Sequence, residues 1–240
     1  IGYRLVGSEM CIRDSMRAAQ NLYEAGLITY LRTDGINIST SPNTGEPFSE
    51  DNPGPPPLQE IRNVIVEKFG DKFLSDQVRV YKSKVKNSQE AHEAIRPTNI
   101  KTYPENINLG QDEQKLYTLI WNRTLSSQMS NSQHERKKIV VCSKEDKFVF
   151  NASSRKTLFE GFETLSKKDS SEIIEFPENL KENENVSLAE FISEQKFTSP
   201  PNRYSEASLI KKMEELGIGR PSTYASTVKG LRDKKYAYGT

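Results

Sequence analysis

Near Arg136 the hydrophobic period of the chain changes, and that change restricts the folds open to it. Before it, "MRAAQNLYEA" (16–25), "PLQEIRNVIVEKFG" (57–70) and "DEQKLYTLIWNRTLSSQM" (112–129) read as helices. Leu58, Ile61, Ile65 and Phe69 form one stripe of the second, with Gly70 closing it. Gly26 stands where a left-handed C-terminal cap would end the first. After the change come "KKIVVCS", "KFVFNAS", "LFEGFETL", "EIIEFP" and "VSLAEFISEQKF", short apolar runs between polar turns. They predict a small, mainly β region with Cys142 in a buried strand. Beyond the breaker "SPPNR" the helical period returns. Ser205 is placed to cap "EASLIKKMEEL", "GIGRP" is a tight turn, Ser222 is placed to cap "TYASTVKGLRDKK", and "YAY" reads as a short strand. The expectation is an α+β multidomain chain. Its parts are a mostly helical domain over 16–131, a β-rich segment over 132–198, and the start of a helical domain, helix-turn-helix or winged-helix-like, over 199–240.

Residues 1–15, "IGYRLVGSEMCIRDS", have no helical or strand period, and "MCIRDS" resembles the read-through translation of a sequencing-library adapter. They are set aside as a non-native leader, with Met16 taken as the start of native sequence. Over the whole chain, 34 Lys and Arg nearly balance 33 Asp and Glu, but the charge is unevenly spread. Residues 203–235 hold eight basic and four acidic side chains, and 169–196 hold eight acidic and two basic. A polyanion should meet the former and avoid the latter. Two cysteines are too few for a disulfide framework or a zinc cluster, so a reducing, cytoplasmic setting is expected. No apolar run approaches the ~20 residues of a membrane-spanning helix.

Three short stretches carry candidate chemistry. In "LITYLRT" (27–33) alternation puts Ile28, Tyr30 and Arg32 on one face of a predicted strand, so that a phenol and a guanidinium can address one site. "QEAHEAIRPT" (89–98) predicts one or two helical turns stopped by Pro97, with His92 and Arg96 four apart on one face. "GIGRPS" (217–222) offers two glycines that permit close backbone approach, then Arg220, then a helix start at Ser222 and Thr223 whose N–H groups favour phosphate. Taken singly, each has an ordinary reading: a half-buried tyrosine, a structural histidine, a packed helical hairpin.

Together, "LYEAGLITYLRTD", "SQEAHEAIRPT" and "RYSEASLIKKMEELGIGRPSTYAS", in that order, resemble the bacterial type IA DNA topoisomerases. The resemblance runs from Met16 to the C-terminus and is weak only in the β-rich part. It implies that Tyr30 is the nucleophile that attacks a single-stranded DNA phosphodiester and becomes joined to the 5′ phosphate. It implies too that Arg32 contacts phosphate, that Asp34 ends the Tyr-x-Arg-Thr-Asp motif at the DNA, and that His92 and Arg96 lie near the site. Gly219, Arg220, Ser222 and Thr223 would meet the backbone of the bound strand. The β-rich segment would belong to the arch that spans the central hole of such enzymes. Gly35 stands where the family commonly has serine, and the Pro-rich loop over 39–57 looks longer than usual.

The residues suit that chemistry. A tyrosine, with a pKa near ~10, is a weak nucleophile at neutral pH, and an arginine beside it favours phenolate and offsets the charge growing on phosphate. The ester conserves bond energy, so religation needs no ATP. The resemblance further implies an Mg²⁺-binding acidic Toprim domain, whereas this sequence has no Asp-x-Asp pair and adapter-like residues stand where that domain would be. The expectation is therefore an internal piece of a longer enzyme, inactive alone. It would be monomeric and cytoplasmic with the nucleoid, hold no metal itself, and bind single-stranded or negatively supercoiled DNA. A non-catalytic helix-turn-helix protein using residues 205–238 is the alternative; it would prefer duplex and have no use for Tyr30.

Overall fold

A computed structural model of the chain describes residues 12–33, 35–38, 56–81, 93–145, 147–166, 176, 179–187, 190, 192–220 and 222–237. The chain divides into two compact units, one drawn from residues 1–131, 161–166 and 204–240, the other from 132–160 and 167–203. Helices and a small antiparallel sheet make it an α+β protein, as expected.

The first unit is built on three helices, α1 (Ile12–Glu24), α2 (Pro56–Phe69) and α3 (Gln111–Ser126). α1 begins four residues ahead of the predicted start at Met16, and Ser15, only 2% exposed, is buried on it. The predicted stripe of α2 is present: Leu58, Ile61 and Ile65 are buried, Val64 with them, and Phe69 packs at the edge. These meet Leu22 of α1 and Leu116, Tyr117, Ile120, Trp121 and Leu125 of α3 in one core. Truncating Ile65 or Leu125 to alanine there would cost ~2–5 kcal/mol. The Trp121 indole N–H is satisfied by Ile100 O at 2.9 Å, which ties the chain after Pro97 to α3.

Two further helices belong to the same unit, α4 (Glu206–Glu215) and α5 (Tyr224–Asp233). Ser205 caps α4 as predicted, accepting the Ser208 N–H at 3.2 Å while the Ser208 hydroxyl accepts the Ser205 N–H at 2.8 Å. Ile210, Met213, Tyr224 and Val228 close a small core between the two helices. Tyr236 and Ala237 form no strand, and Tyr238 lies outside the described residues.

The second unit departs from the expected series of short strands. Its described regular structure is one hairpin, β1 (Gln133–Cys142) against β2 (Val149–Phe159), with a register irregularity between Gln133 and His134. "LFEGFETL" splits, Leu158 and Phe159 ending β2 and Gly161–Leu165 forming a 3-10 turn. The described residues of "VSLAEFISEQKF" have no regular structure, and most of "EIIEFP" lies outside the description. Cys142 is exposed, contrary to the predicted burial. The cause is physical: a two-stranded ribbon has no second layer, so apolar alternation along it does not guarantee a covered face.

Candidate active site and nucleic-acid interface

Tyr30 stands on a loop that leaves α1 through a left-handed turn at Gly26 (φ 70°). Gly26 N–H donates to Tyr23 O and Leu27 N–H to Leu22 O, both at 2.9 Å, which satisfies the last carbonyls of the helix as the sequence predicted. The loop then runs beside residues 93–98. Thr98 N–H donates to Leu27 O at 3.0 Å, Thr29 N–H to Arg96 O at 2.9 Å, and Ala94 N–H to Asn37 O at 2.8 Å.

Side chains supply the missing rungs. Thr29 Oγ1 donates to Ala94 O and accepts Arg96 N–H, each at 3.0 Å. Thr33 Oγ1 donates to Glu93 O at 2.8 Å and accepts Gly35 N–H at 3.0 Å, spanning the position of Asp34. Asn37 closes the loop: its Nδ2 donates to Tyr81 O and its Oδ1 accepts Tyr81 N–H, both at 2.7 Å. The Tyr81 hydroxyl in turn donates to Ser127 O at the end of α3, also at 2.7 Å.

This geometry corrects the predicted strand. Only Ile28 forms a bridge, with Pro97, and it is buried, whereas Tyr30 and Arg32 are exposed, so the three do not share a face. Leu31 is buried as well. Because hydroxyl groups replace backbone rungs, the chain bends between Ile28 and Leu31 and sinks both. Tyr30 is left 52% exposed, its ring edge-on to that of Tyr23 at 5.5 Å between centroids.

The predicted helix before Pro97 is likewise absent from residues 93–96, which are extended along the Tyr30 loop. Arg96 turns inward. Its Nε donates to Glu93 Oε1 at 2.6 Å, one terminal nitrogen to Glu93 Oε2 at 3.3 Å, and the other to Pro97 O at 2.9 Å. Asp34 and His92 lie outside the described residues.

The C-terminal turn is also built differently from its prediction. The Thr223 N–H and Tyr224 N–H both donate to Arg220 O, at 2.8 and 3.1 Å, so α5 starts at Tyr224 with Thr223, not Ser222, as the flanking residue. The Thr223 hydroxyl accepts Arg220 N–H at 2.9 Å and also lies 3.1 Å from Arg220 O. These bonds hold the backbone of Arg220 while Arg220 and Ser222 remain exposed. Gly219 (φ 79°) lies against this knot: a Cβ there would sit 3.2 Å from Thr223 Oγ1 and 3.3 Å from the Tyr224 ring. Tyr224 itself is buried, and burial pushes its phenol pKa upward, with Glu214 adding to the rise and Arg220 opposing it.

Sequence reasoning missed the tethers of Thr29, Thr33 and Asn37, the ring support of Tyr23, and the Glu93 carboxylate that holds Arg96. The two threonines flank the Tyr-x-Arg motif and could have been suspected. Asn37 follows no pattern. Among the described residues no three His, Cys, Asp or Glu side chains are grouped so as to hold a metal ion. No helix among them is long and apolar enough to cross a membrane.

A family model described as DNA topoisomerase matches residues 10–239. The chain belongs to the bacterial type IA DNA topoisomerase I family. It is 43% identical to DNA topoisomerase 1 of Rickettsia bellii, over 93% of this chain and 28% of that protein. It is 42% identical to DNA topoisomerase 1 of Helicobacter pylori, over 92% of this chain and 29% of that one. The structure of full-length topoisomerase I from Thermotoga maritima superposes with a TM-score of 0.72 at 32% identity, covering 100% of this chain and 38% of that one. This topoisomerase chain thus spans under a third of the length of those curated relatives. The match extends through the Tyr30 loop as well as the two C-terminal helices, which disfavours a helix-turn-helix protein using residues 205–238 alone.

Proposed function

We propose that this chain carries the nucleophile and part of the DNA-binding surface of a type IA topoisomerase that relaxes negatively supercoiled DNA without ATP. The Tyr30 phenolic oxygen attacks a phosphodiester of single-stranded DNA. An O–P bond forms, the 3′ oxygen departs with a proton, and the strand is held as a 5′-phosphotyrosyl ester. Attack by the 3′ hydroxyl reverses the exchange, so one ester replaces another and no external energy is spent. Arg32 neutralises charge that grows on the phosphate. Asp34 and His92 contact the DNA near the break, and Arg220, with Gly219, Ser222 and Thr223 shaping its turn, holds the backbone of the same strand. Magnesium finds no set of ligands among the described residues. In this reading Mg²⁺ and the acid that protonates the 3′ oxygen are supplied from a Toprim domain outside this sequence, and the chain alone is inactive. It acts as a monomer in the cytoplasm, at the nucleoid.

One observation carries this reading. Tyr30 is half exposed on a loop whose flanking Ile28 and Leu31 are buried and whose threonines are hydrogen-bonded to a neighbouring segment. A fixed backbone with an open phenol is what in-line attack on a bulky polymer requires. To test it, the chain is combined in Mg²⁺ with the Toprim domain of a related enzyme and incubated with end-labelled single-stranded DNA. Covalent adduct should form on the 5′ side of the break. Tyr30→Phe should abolish it with binding nearly unchanged, and Arg32→Ala should slow it ~10²-fold. Adduct formed by the Tyr30→Phe chain would assign the nucleophile elsewhere.

A further inference from the structure

The hairpin of the second unit has two faces of different chemistry, set by its register. Directly opposed residues of an antiparallel pair project to the same side. One side therefore carries the pairs His134–Thr157, Arg136–Arg155, Lys138–Ser153, Val140–Asn151 and Cys142–Val149. None of these ten residues is acidic, and three are permanently cationic. The other side carries Glu135–Lys156, Lys137–Ser154, Ile139–Ala152 and Val141–Phe150, where Lys137 pairs with Glu135 at 3.7 Å.

Two features of the first side are costly for a ribbon that has only to fold. Arg136 and Arg155 are directly opposed, and like charges in that position destabilise a pair by ~0.2–1 kcal/mol. Lys138 follows on the same side one pleat along, ~6.8 Å further, which makes a short cationic column with no acidic residue in it. Arg155 is held in place: one terminal nitrogen donates to His134 Nε2 at 2.6 Å, while His134 Nδ1 lies 3.2 Å from Thr157 Oγ1 and Nε2 lies 3.0 Å from Ser132 Oγ. Around the ribbon, residues 133–159 hold seven basic and three acidic side chains, a balance of +4 in a chain of +1 overall. At the turn end Phe148 and on β2 Phe150 are 65% and 54% exposed.

We propose that this side of the β1–β2 ribbon is a second single-stranded DNA site, separate from the Tyr30 loop and the Arg220 turn. Arg136, Lys138 and Arg155 take successive phosphates of one strand. A phosphate between Arg136 and Arg155 converts their repulsion into a shared ion contact. The inference rests on the DNA-acting role proposed above and extends it to a new surface.

The test uses the whole 240-residue chain and fluorescence anisotropy with a dye-labelled single-stranded oligonucleotide over a range of salt. Arg136→Gln with Lys138→Gln should lower the slope of log affinity against log salt by ~1.4, two contacts at ~0.7 each. Affinity near ~0.1 M salt should fall roughly tenfold. Lys137→Gln with Lys156→Gln, on the other side, should leave the slope unchanged. Circular dichroism and the melting temperature of each variant check that the hairpin persists. A slope unaltered by the Arg136 and Lys138 changes overturns the proposal, as does equal loss from both sides. If that slope stays while Arg220→Ala weakens binding, the hairpin site fails and the DNA-acting role stands. If the unaltered chain binds no DNA, both fail.

Discussion

Gly219→Ala isolates what the C-terminal turn contributes, because Gly217 two residues earlier serves as its control. Both residues are left-handed, with φ of 79° and 70°. An alanine at either position carries the same backbone penalty, ~1–2 kcal/mol. What differs is the space around them. A Cβ at Gly217 meets nothing within 4 Å, whereas one at Gly219 meets Thr223 Oγ1 at 3.2 Å and Tyr224 ring carbons at 3.3 and 3.4 Å. The ring is fixed in the small core, so the Thr223 hydroxyl must yield, and with it the hydrogen bond that fixes Arg220 N–H. Losing that bond adds ~1 kcal/mol, which makes Gly219→Ala the worse of the two by a factor of about 5 in local opening. Hydrogen exchange of the Tyr224 and Thr227 amides, bonded to Arg220 O and Thr223 O, reads that opening directly. The same two variants, titrated with single-stranded DNA, should differ again. Gly219→Ala should lose ~0.7 of the salt slope as Arg220 goes out of place, and Gly217→Ala should keep it. Equal exchange rates and equal slopes in the two variants would refute the claim that the Thr223 contact holds Arg220 for phosphate.

Arg96→Ala should destabilise the first unit by ~1–3 kcal/mol, since it removes a largely buried guanidinium together with its ion pair to Glu93 and its bond to Pro97 O; denaturant unfolding reads this. DNA affinity at fixed salt slope should be unchanged in that variant, and a slope lower by ~0.7 would show that Arg96 also takes a phosphate. Alkaline unfolding should report Tyr117, whose buried hydroxyl donates to Thr102 O at 2.8 Å and whose pKa burial pushes up to about 12. The folded chain keeps that proton longer than the unfolded chain, which releases it near ~10. The stabilisation is therefore complete below pH ~10 and is lost as pH rises towards 12, by at most ~3 kcal/mol. Tyr117→Phe should flatten that limb of the stability profile, and an unchanged alkaline midpoint in the variant would contradict it.

The helices were legible because their signals are local. The α2 stripe, the left-handed end at Gly26 and the Ser205 cap each depend on residues within two turns of one another. The Tyr30 loop was misread for the opposite reason. Its alternation reads as a strand, but its partners lie about 65 residues away at Ala94 and Arg96, and threonine hydroxyls supply rungs between the backbone ones. A pattern of period two cannot say whether backbone or side chain will close a ladder. The four-residue spacing of His92 and Arg96 suggests a helix, but it carries no sign that Glu93, three residues before Arg96, is the partner that draws the guanidinium inward. Cys142 was assigned a buried strand because apolar runs imply burial only where a second layer exists, and the number of layers is not written in the run itself.

The near-neutral total of the chain conceals how such a protein can hold a polyanion. Screening confines each charge to about 8 Å at physiological ionic strength. A phosphate therefore responds to the stretch it touches and not to the sum of +1. The two stretches at +4, residues 133–159 and 203–235, are a hairpin and a helical pair, elements that hold side chains at fixed spacing. The stretch at −6, residues 169–196, has no regular structure among its described residues. Ordered cations lose little further freedom when a strand arrives, so each contact retains more of its favourable free energy. Arg96 shows the complementary case. A guanidinium with its donors already bound to Glu93 and Pro97 gains little from a phosphate, because it must first give up contacts of similar strength. Among the described residues named for the site by their sequence, this leaves Arg32 and Arg220, both exposed on turns whose backbones other residues fix, as the cations best placed to take the strand.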